Sequence, residues 1–163
     1  MDILEHPNPA LKQTALDVDP ASDSQLPRLV KAMAHAMHEA PGVGLAATQV
    51  GVQKRVIVFD VDDGVVALCN PVIVERSADT EVEDEGCLSL PGITVPVERA
   101  YACVCEALDL KGEPLRLEAE GFVARVLQHE TDHLDGVLII DRAEPAERRA
   151  ALRRSFGGIF GLL

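Results

Sequence analysis

The chain has 163 residues, 47% of them apolar, and a formal charge of −12. That is enough for one domain with a real core and too little for two, and the acidic balance excludes non-specific capture of DNA or RNA, which needs clustered Lys and Arg. No apolar run approaches the roughly 20 residues of a membrane span, and Asp2 and Glu5 stand where a secretory leader places basic residues, so the expectation is a cytoplasmic protein with no membrane association.

In chain order, Leu26, Leu29, Val30, Met33, Met37 and Ala40 recur at helical spacing and predict a first amphipathic helix over 24–40, with Asp23 or Ser24 as cap and Pro41-Gly42 as stop. His35 and His38 fall off the apolar stripe and are read as solvent-facing. Two β-rich runs, Val56 to Phe59 and Val65 to Cys69, flank Asp62-Asp63-Gly64 and predict an antiparallel hairpin. Val72 to Glu75, Val95 to Val97, Ala102 to Leu108 and Leu115 to Ala119 read as further short strands, with turns at Lys111-Gly112 and Glu120-Gly121. A buried helix follows from Phe122 to Leu134, closed by Asp135-Gly136. Val137 to Ile140 is expected to be a last strand. An Arg-rich helix from Glu144 to about Phe156 precedes the apolar end Gly157 to Leu163. The fold class expected is α+β, with antiparallel sheet packed around a central metal-binding helix and a helix at each end of the chain.

Four cysteines, Cys69, Cys87, Cys103 and Cys105, are expected to stay unbridged in a reducing compartment, each a buried small residue or a ligand. Cys103 and Cys105 share one face of their strand and read as core. Cys87 differs, because it lies in Glu85-Gly86-Cys87-Leu88-Ser89-Leu90-Pro91-Gly92, between a glycine and a turn signal.

The strongest local signal is His129-Glu130-Thr131-Asp132-His133 on the central helix. Residues four apart lie one above the other, so both imidazoles can grip one ion from one side. Glu130, turned about 100° around the axis, is placed to act as general acid/base for a water on that ion. A catalytic site needs a third protein ligand and an open position. Nothing downstream offers one before Asp141; upstream, the thiolate of Cys87 is available.

Three segments, Gly42-Val43-Gly44-Leu45-Ala46-Ala47-Thr48-Gln49, Glu85-Gly86-Cys87-Leu88-Ser89 and Gln128-His129-Glu130-Thr131-Asp132-His133-Leu134, resemble the three signature motifs of the peptide deformylase family, in order and at family-like separations. The resemblance spans nearly the whole chain. It implies hydrolysis of the formyl group from the N-terminal formyl-methionine of new polypeptides. It implies Cys87, His129 and His133 as metal ligands, Glu130 as general acid/base, and the Gln49 side chain with the backbone N–H of Leu88 as holders of the tetrahedral oxygen, a role that suits fixed neutral donors. The ion implied is Fe2+, with Zn2+, Ni2+ or Co2+ as substitutes.

The resemblance also implies that Val43, Phe122 and Val126 line an apolar slot for the methionine side chain, and that Gly44, Gly86 and Arg99 lie along the substrate backbone, Gly44 because a residue without Cβ allows close approach. Arg125, one turn before His129, is expected either at the pocket mouth or in a surface salt bridge. Asp132 is expected to orient a ligand or a neighbouring Arg. The acidic stretch Glu81, Glu83, Asp84, Glu85 reads as a solvated edge in which Glu85 supports the Cys87 loop. From Arg142 onward five Arg face two Glu, a net of +3, which suggests weak ribosome contact; the protein is otherwise expected to act as a monomer. Alternative activities are hydrolysis of another N-formyl or N-acyl compound and cleavage of ordinary peptide bonds.

Overall fold

The computed structural model describes residues 1–61 and 63–160, with side chains as far as Arg154; Asp62 of the expected hairpin turn and the apolar end from Gly161 to Leu163 lie outside the described residues. The first helix, α1, spans Leu26–Glu39, with Gln25 at its cap position and no side-chain cap bond. Asp23 does not cap it: its Oδ1 accepts the Gln25 N–H at 3.1 Å and closes a turn ahead of the helix. Leu26, Val30, Met33 and Met37 are buried. His35 and His38 face outward, beside Glu39 at 3.2 Å and Asp60 at 2.9 Å.

Strands β1 (Gly44–Ala46), β2 (Val56–Asp60), β3 (Val65–Arg76), β6 (Ala102–Leu108) and β7 (Pro114–Glu120) form one antiparallel sheet in the order β1-β2-β3-β6-β7. The expected hairpin is β2 with β3, and Gly64 takes a φ of +93° at its turn. Strands β4 (Thr80–Cys87) and β5 (Leu90–Ala100) form a separate antiparallel pair. The sequence did not announce β4, because its residues are almost all polar and exposed. Neither did it announce β1, which is three residues long.

The two faces of β2 explain its continuous apolar run. Val56 and Val58 pack with α1 in one cluster, whereas Ile57 and Phe59 pack in another with Ala124, Leu127 and Leu134 of the central helix α2 (Gly121–Leu134). Cys103 and Cys105 are buried in that second cluster, as expected. A third cluster joins Leu90, Ile93, Val95 and Val97 of β5 to Leu138, Ile139, Ile140 and Ala151.

Two expected boundaries are corrected. Val72 to Glu75 is no separate strand but the continuation of β3 past an irregularity between Cys69 and Val72. Asn70 takes a φ of 51° there and its side chain pairs with the Val18 backbone in both directions, at 2.9 and 2.8 Å. Val137 to Ile140 is not a strand either; Ile139–Arg142 forms a short helix, α3. The Asp141 carboxylate accepts the Leu138 N–H at 2.9 Å, a local bond that turns a β-branched run into a helix start. The Arg-rich helix α4 spans Pro145–Phe160.

Candidate active site

Helix α2 starts abruptly after β7 because Gly121 adopts a φ of +62°, and it ends at Gly136, whose φ is +73°. A Cβ on Gly136 would lie 2.5 Å from the Lys12 carbonyl oxygen, so the turn requires glycine twice over. Between these ends His129 and His133 stand one turn apart with their Nε2 atoms 3.2 Å from each other. The end of β4 brings Cys87 across from a remote part of the chain, its Sγ 3.4 Å from His133 Nε2. One donor atom from each of the three residues lies within 4.8 Å of the others, an arrangement able to hold a metal ion. A thiol sulfur and two imidazole nitrogens converging in this way suit a borderline divalent cation.

The imidazoles are prepared differently. Burial and the charges of His129 and Arg99 hold His133 well below its ordinary value, which leaves it neutral and able to donate a lone pair. His129 is opposed by burial but lifted by Glu130, Cys87 and Glu85 to about 10. Its Nδ1–H donates to Glu85 Oε1 at 2.8 Å, which fixes the tautomer and turns Nε2 toward Cys87 and His133. Burial alone would raise the Glu85 carboxyl; hydrogen bonds from His129 and Arg99 pull it down to about 2.

Glu85 is therefore the hub of the expected support for the Cys87 loop. It accepts from Arg99 Nε and Nη2, both at 3.0 Å, and from Arg125 Nη1 at 2.5 Å. Arg125 also donates to the carbonyls of Val97 at 2.9 Å and Glu81 at 2.8 Å, tying β4 and β5 to α2. It lines the cavity and is buried, which is the first of its two expected places rather than a surface salt bridge. Arg99 is a correction. It is buried, bridging Glu85 and Asp132, and is not among the cavity-lining residues; all three of its guanidinium nitrogens are engaged by these two carboxylates rather than directed at the cavity. Asp132 orients neighbouring arginines, as expected: Arg99 and Arg142 both donate to it.

Glu130 is buried, and its Oε1 has no hydrogen-bond partner among the described residues. Burial pushes its carboxyl up to about 7, against the pull of His129, the range in which a carboxylate exchanges protons near neutral pH. Gln49 is buried, with its Oε1 accepting the Ala46 N–H at 3.0 Å and its Nε2 directed at Ser89 Oγ (3.1 Å) and Cys87 Sγ (3.7 Å). The oxygen end is thus anchored and the amide donor faces the metal donors. Ser89 went unassigned in the sequence; its place in the Glu85 to Ser89 motif was the available signal.

Glu130, Gln49, Cys87, Leu88 and His129 open onto one cavity of about 880 Å³, which Val43, Gly44, Gly86, Phe122 and Val126 also line. Val43 and Phe122 are exposed at its rim and Val126 is buried. Gly44 has a further reason to be glycine. A Cβ there would overlap Glu130 Oε2 and lie 2.9 Å from Glu130 Cδ, so its bareness makes room for the carboxylate.

The family model for polypeptide deformylase matches residues 1–149. A peptide deformylase of Pelotomaculum thermopropionicum is 47% identical over 142 residues, covering 87% of this chain and 90% of the relative. One of Acidothermus cellulolyticus is 50% identical over 131 residues, covering 80% and 72%. The crystal structure of peptide deformylase from Thermotoga maritima superposes with a TM-score of 0.85 at 44% identity, covering 88% of this chain and 97% of that one. The peptide deformylase of Synechococcus elongatus in complex with actinonin gives 0.90 at 40% identity, covering 95% and 85%. With a family-model match over residues 1–149 and with sequence identity and fold shared over most of both lengths, this chain belongs to the polypeptide deformylase family.

Proposed function

We propose that Glu130, Gln49 and the Leu88 backbone carry out, in this chain, the hydrolysis that defines its family: removal of the N-formyl group from nascent peptides, with release of formate. The observation that carries the reading is the buried Oε1 of Glu130, unpartnered among the described residues, beside three converging metal donors, of which Cys87 and His129 line the same cavity as Glu130. Cys87, His129 and His133 would hold one divalent cation; a bound cation supplies a Lewis acid that polarises the formyl carbonyl and lowers the pKa of water. Fe2+ is the ion proposed, with Zn2+, Ni2+ or Co2+ as substitutes.

Glu130 takes the proton from the attacking water and passes it to the leaving amine. Its desolvated carboxyl suits both steps, since neither protonation state is strongly favoured near pH 7. Gln49 Nε2–H, held by the Ala46 anchor, and the Leu88 N–H receive the oxygen on which charge develops. Val43, Phe122 and Val126 take the methionine side chain against apolar surface, with Gly86 and Arg125 on the adjoining wall. The whole chain acts as one catalytic unit, a monomer of the cytoplasm. A weak, salt-sensitive ribosome contact falls to α4, where Arg149 and Arg153 are exposed; Arg148 is engaged with Asp141 at 2.7 Å.

The test is formate release from formyl-Met-Ala by anaerobically prepared, ferrous-loaded protein. Formate without internal cleavage of longer peptides supports deformylation, and internal cleavage favours a peptidase. Glu130→Gln should keep one metal per chain and lower kcat by at least about 10²-fold. Substantial residual turnover would remove Glu130 from its role.

A further inference from the structure

We propose that Arg142, on the short helix α3, positions the metal ligand His129 through a ladder of buried charges: Asp132, Arg99 and Glu85. The outer rung is a fork, Arg142 Nη2 to Asp132 Oδ1 at 2.9 Å and Nε to Oδ2 at 3.0 Å. Asp132 Oδ2 also takes Arg99 Nη1 at 2.6 Å. Arg99 grips both oxygens of Glu85, and Glu85 Oε1 takes the His129 N–H at 2.8 Å. The inner members are buried, whereas the Arg142 side chain is 48% exposed.

The geometry makes Arg142 more than a staple between α3 and α2. Among the described residues it supplies the only side-chain donor to Asp132 Oδ1. Without it a buried carboxylate is left half satisfied and must reorient or admit water. Arg99 is held from both sides, so movement of Asp132 loosens its grip on Glu85. Arg125 still anchors Glu85 Oε2, but Oε1, the oxygen that aims His129, then depends on the imidazole alone. Arg142 does not line the cavity, and the ladder is the chain of side-chain bonds that joins it to His129.

This role rests on Cys87, His129 and His133 binding a metal, and the test separates the two. The full chain is loaded with cobalt(II), and cobalt loss to excess chelator is timed while the visible bands report ligand geometry. Arg142→Ala should release cobalt at least about tenfold faster and shift the bands. Arg142→Lys, which keeps the charge and loses the fork, should fall between it and wild type. Arg116→Ala, a control on the far sheet, should match wild type. Wild-type cobalt retention and spectrum in both Arg142 variants, even with a lowered Tm, would show a merely structural tie and overturn the role. If Arg142→Ala does not fold, Arg142→Lys decides alone, and unchanged cobalt loss overturns the proposal. A wild type that takes up no cobalt overturns the metal site and this role with it.

Discussion

Gly44→Ala is the sharpest perturbation the structure offers, because one methyl group meets the proposed acid/base directly. The new Cβ would lie 2.9 Å from Glu130 Cδ and 3.0 Å from Cγ, whereas carbon atoms rest about 3.5–4.0 Å apart. Something must move by about 0.5–1 Å. The strand cannot: β1 is buried throughout and registered on β2 at Gly44 with Phe59, Leu45 with Val58 and Ala46 with Ile57. The helix cannot either, since Leu127 and Leu134 are fully buried below it. The Glu130 side chain therefore swings aside, and a displacement near 1 Å costs about 10²-fold in kcat, or about 2.7 kcal/mol of barrier. Overpacking adds about 1–3 kcal/mol of destabilisation, which in a domain of this size lowers Tm by several degrees. Metal content should hold, because the atoms nearest the new Cβ all belong to Glu130, which is not one of the three ligands. The assay is formate release by metal-loaded wild type and variant at matched metal stoichiometry. A kcat within about threefold of wild type would refute the crowding argument, and a raised KM with kcat intact would return Gly44 to the role of admitting the substrate backbone.

Cys87→Ser should lose stoichiometric metal and activity together, while Cys103→Ser keeps both; Cys69 and Cys105, whose thiols burial pushes up to about 11, should likewise be dispensable for metal, as elemental analysis per chain would show. Metal uptake should strengthen with pH: His129 carries a proton up to about pH 10 in the metal-free chain, so apparent affinity should rise about tenfold per pH unit between pH 6 and 8, and a flat profile in chelator competition would contradict the assigned protonation. Glu85, pulled from 4.5 to about 2, stabilises the fold fully above about pH 4.5 and ceases to do so as pH falls through 2. Its contribution is about 3 kcal/mol. Glu85→Gln should therefore flatten the acid limb of a urea-unfolding profile, and an unchanged limb would count against the network.

Central helix α2 was legible because its apolar spacing, its terminal glycines and His129 with His133 are all local signals. The metal trio needed only one long-range inference, that Cys87 comes back to the helix. Strand β4 was not legible. Of its residues only Val82 and Cys87 are apolar, and its eight-residue register with β5 is built from backbone bonds that leave no mark on side-chain periodicity. Helix α3 was misread because Val137 to Ile140 has strand chemistry, and one carboxylate three residues on decides otherwise. The charge network was legible only at its carboxylates, Glu85 and Asp132, and its arginine partners were hidden for a different reason. Arg99, Arg125 and Arg142 each look like ordinary solvated cations, and only folding shows that Glu85 and Asp132, 14 to 40 positions from two of their partners, bury them together.

Among the described residues the β4–β5 pair shares no strand pairing with the five-stranded sheet, so Cys87 sits on a separate strand pair from the sheet that packs against the helix carrying the two imidazoles. An ion gripped by all three is then a cross-link between them, and at about 100 times its dissociation constant it would add about 2.7 kcal/mol to the folded state. Amide exchange along β4 and β5 should slow on loading, because the rivet that serves chemistry also fastens the flap that carries the thiol.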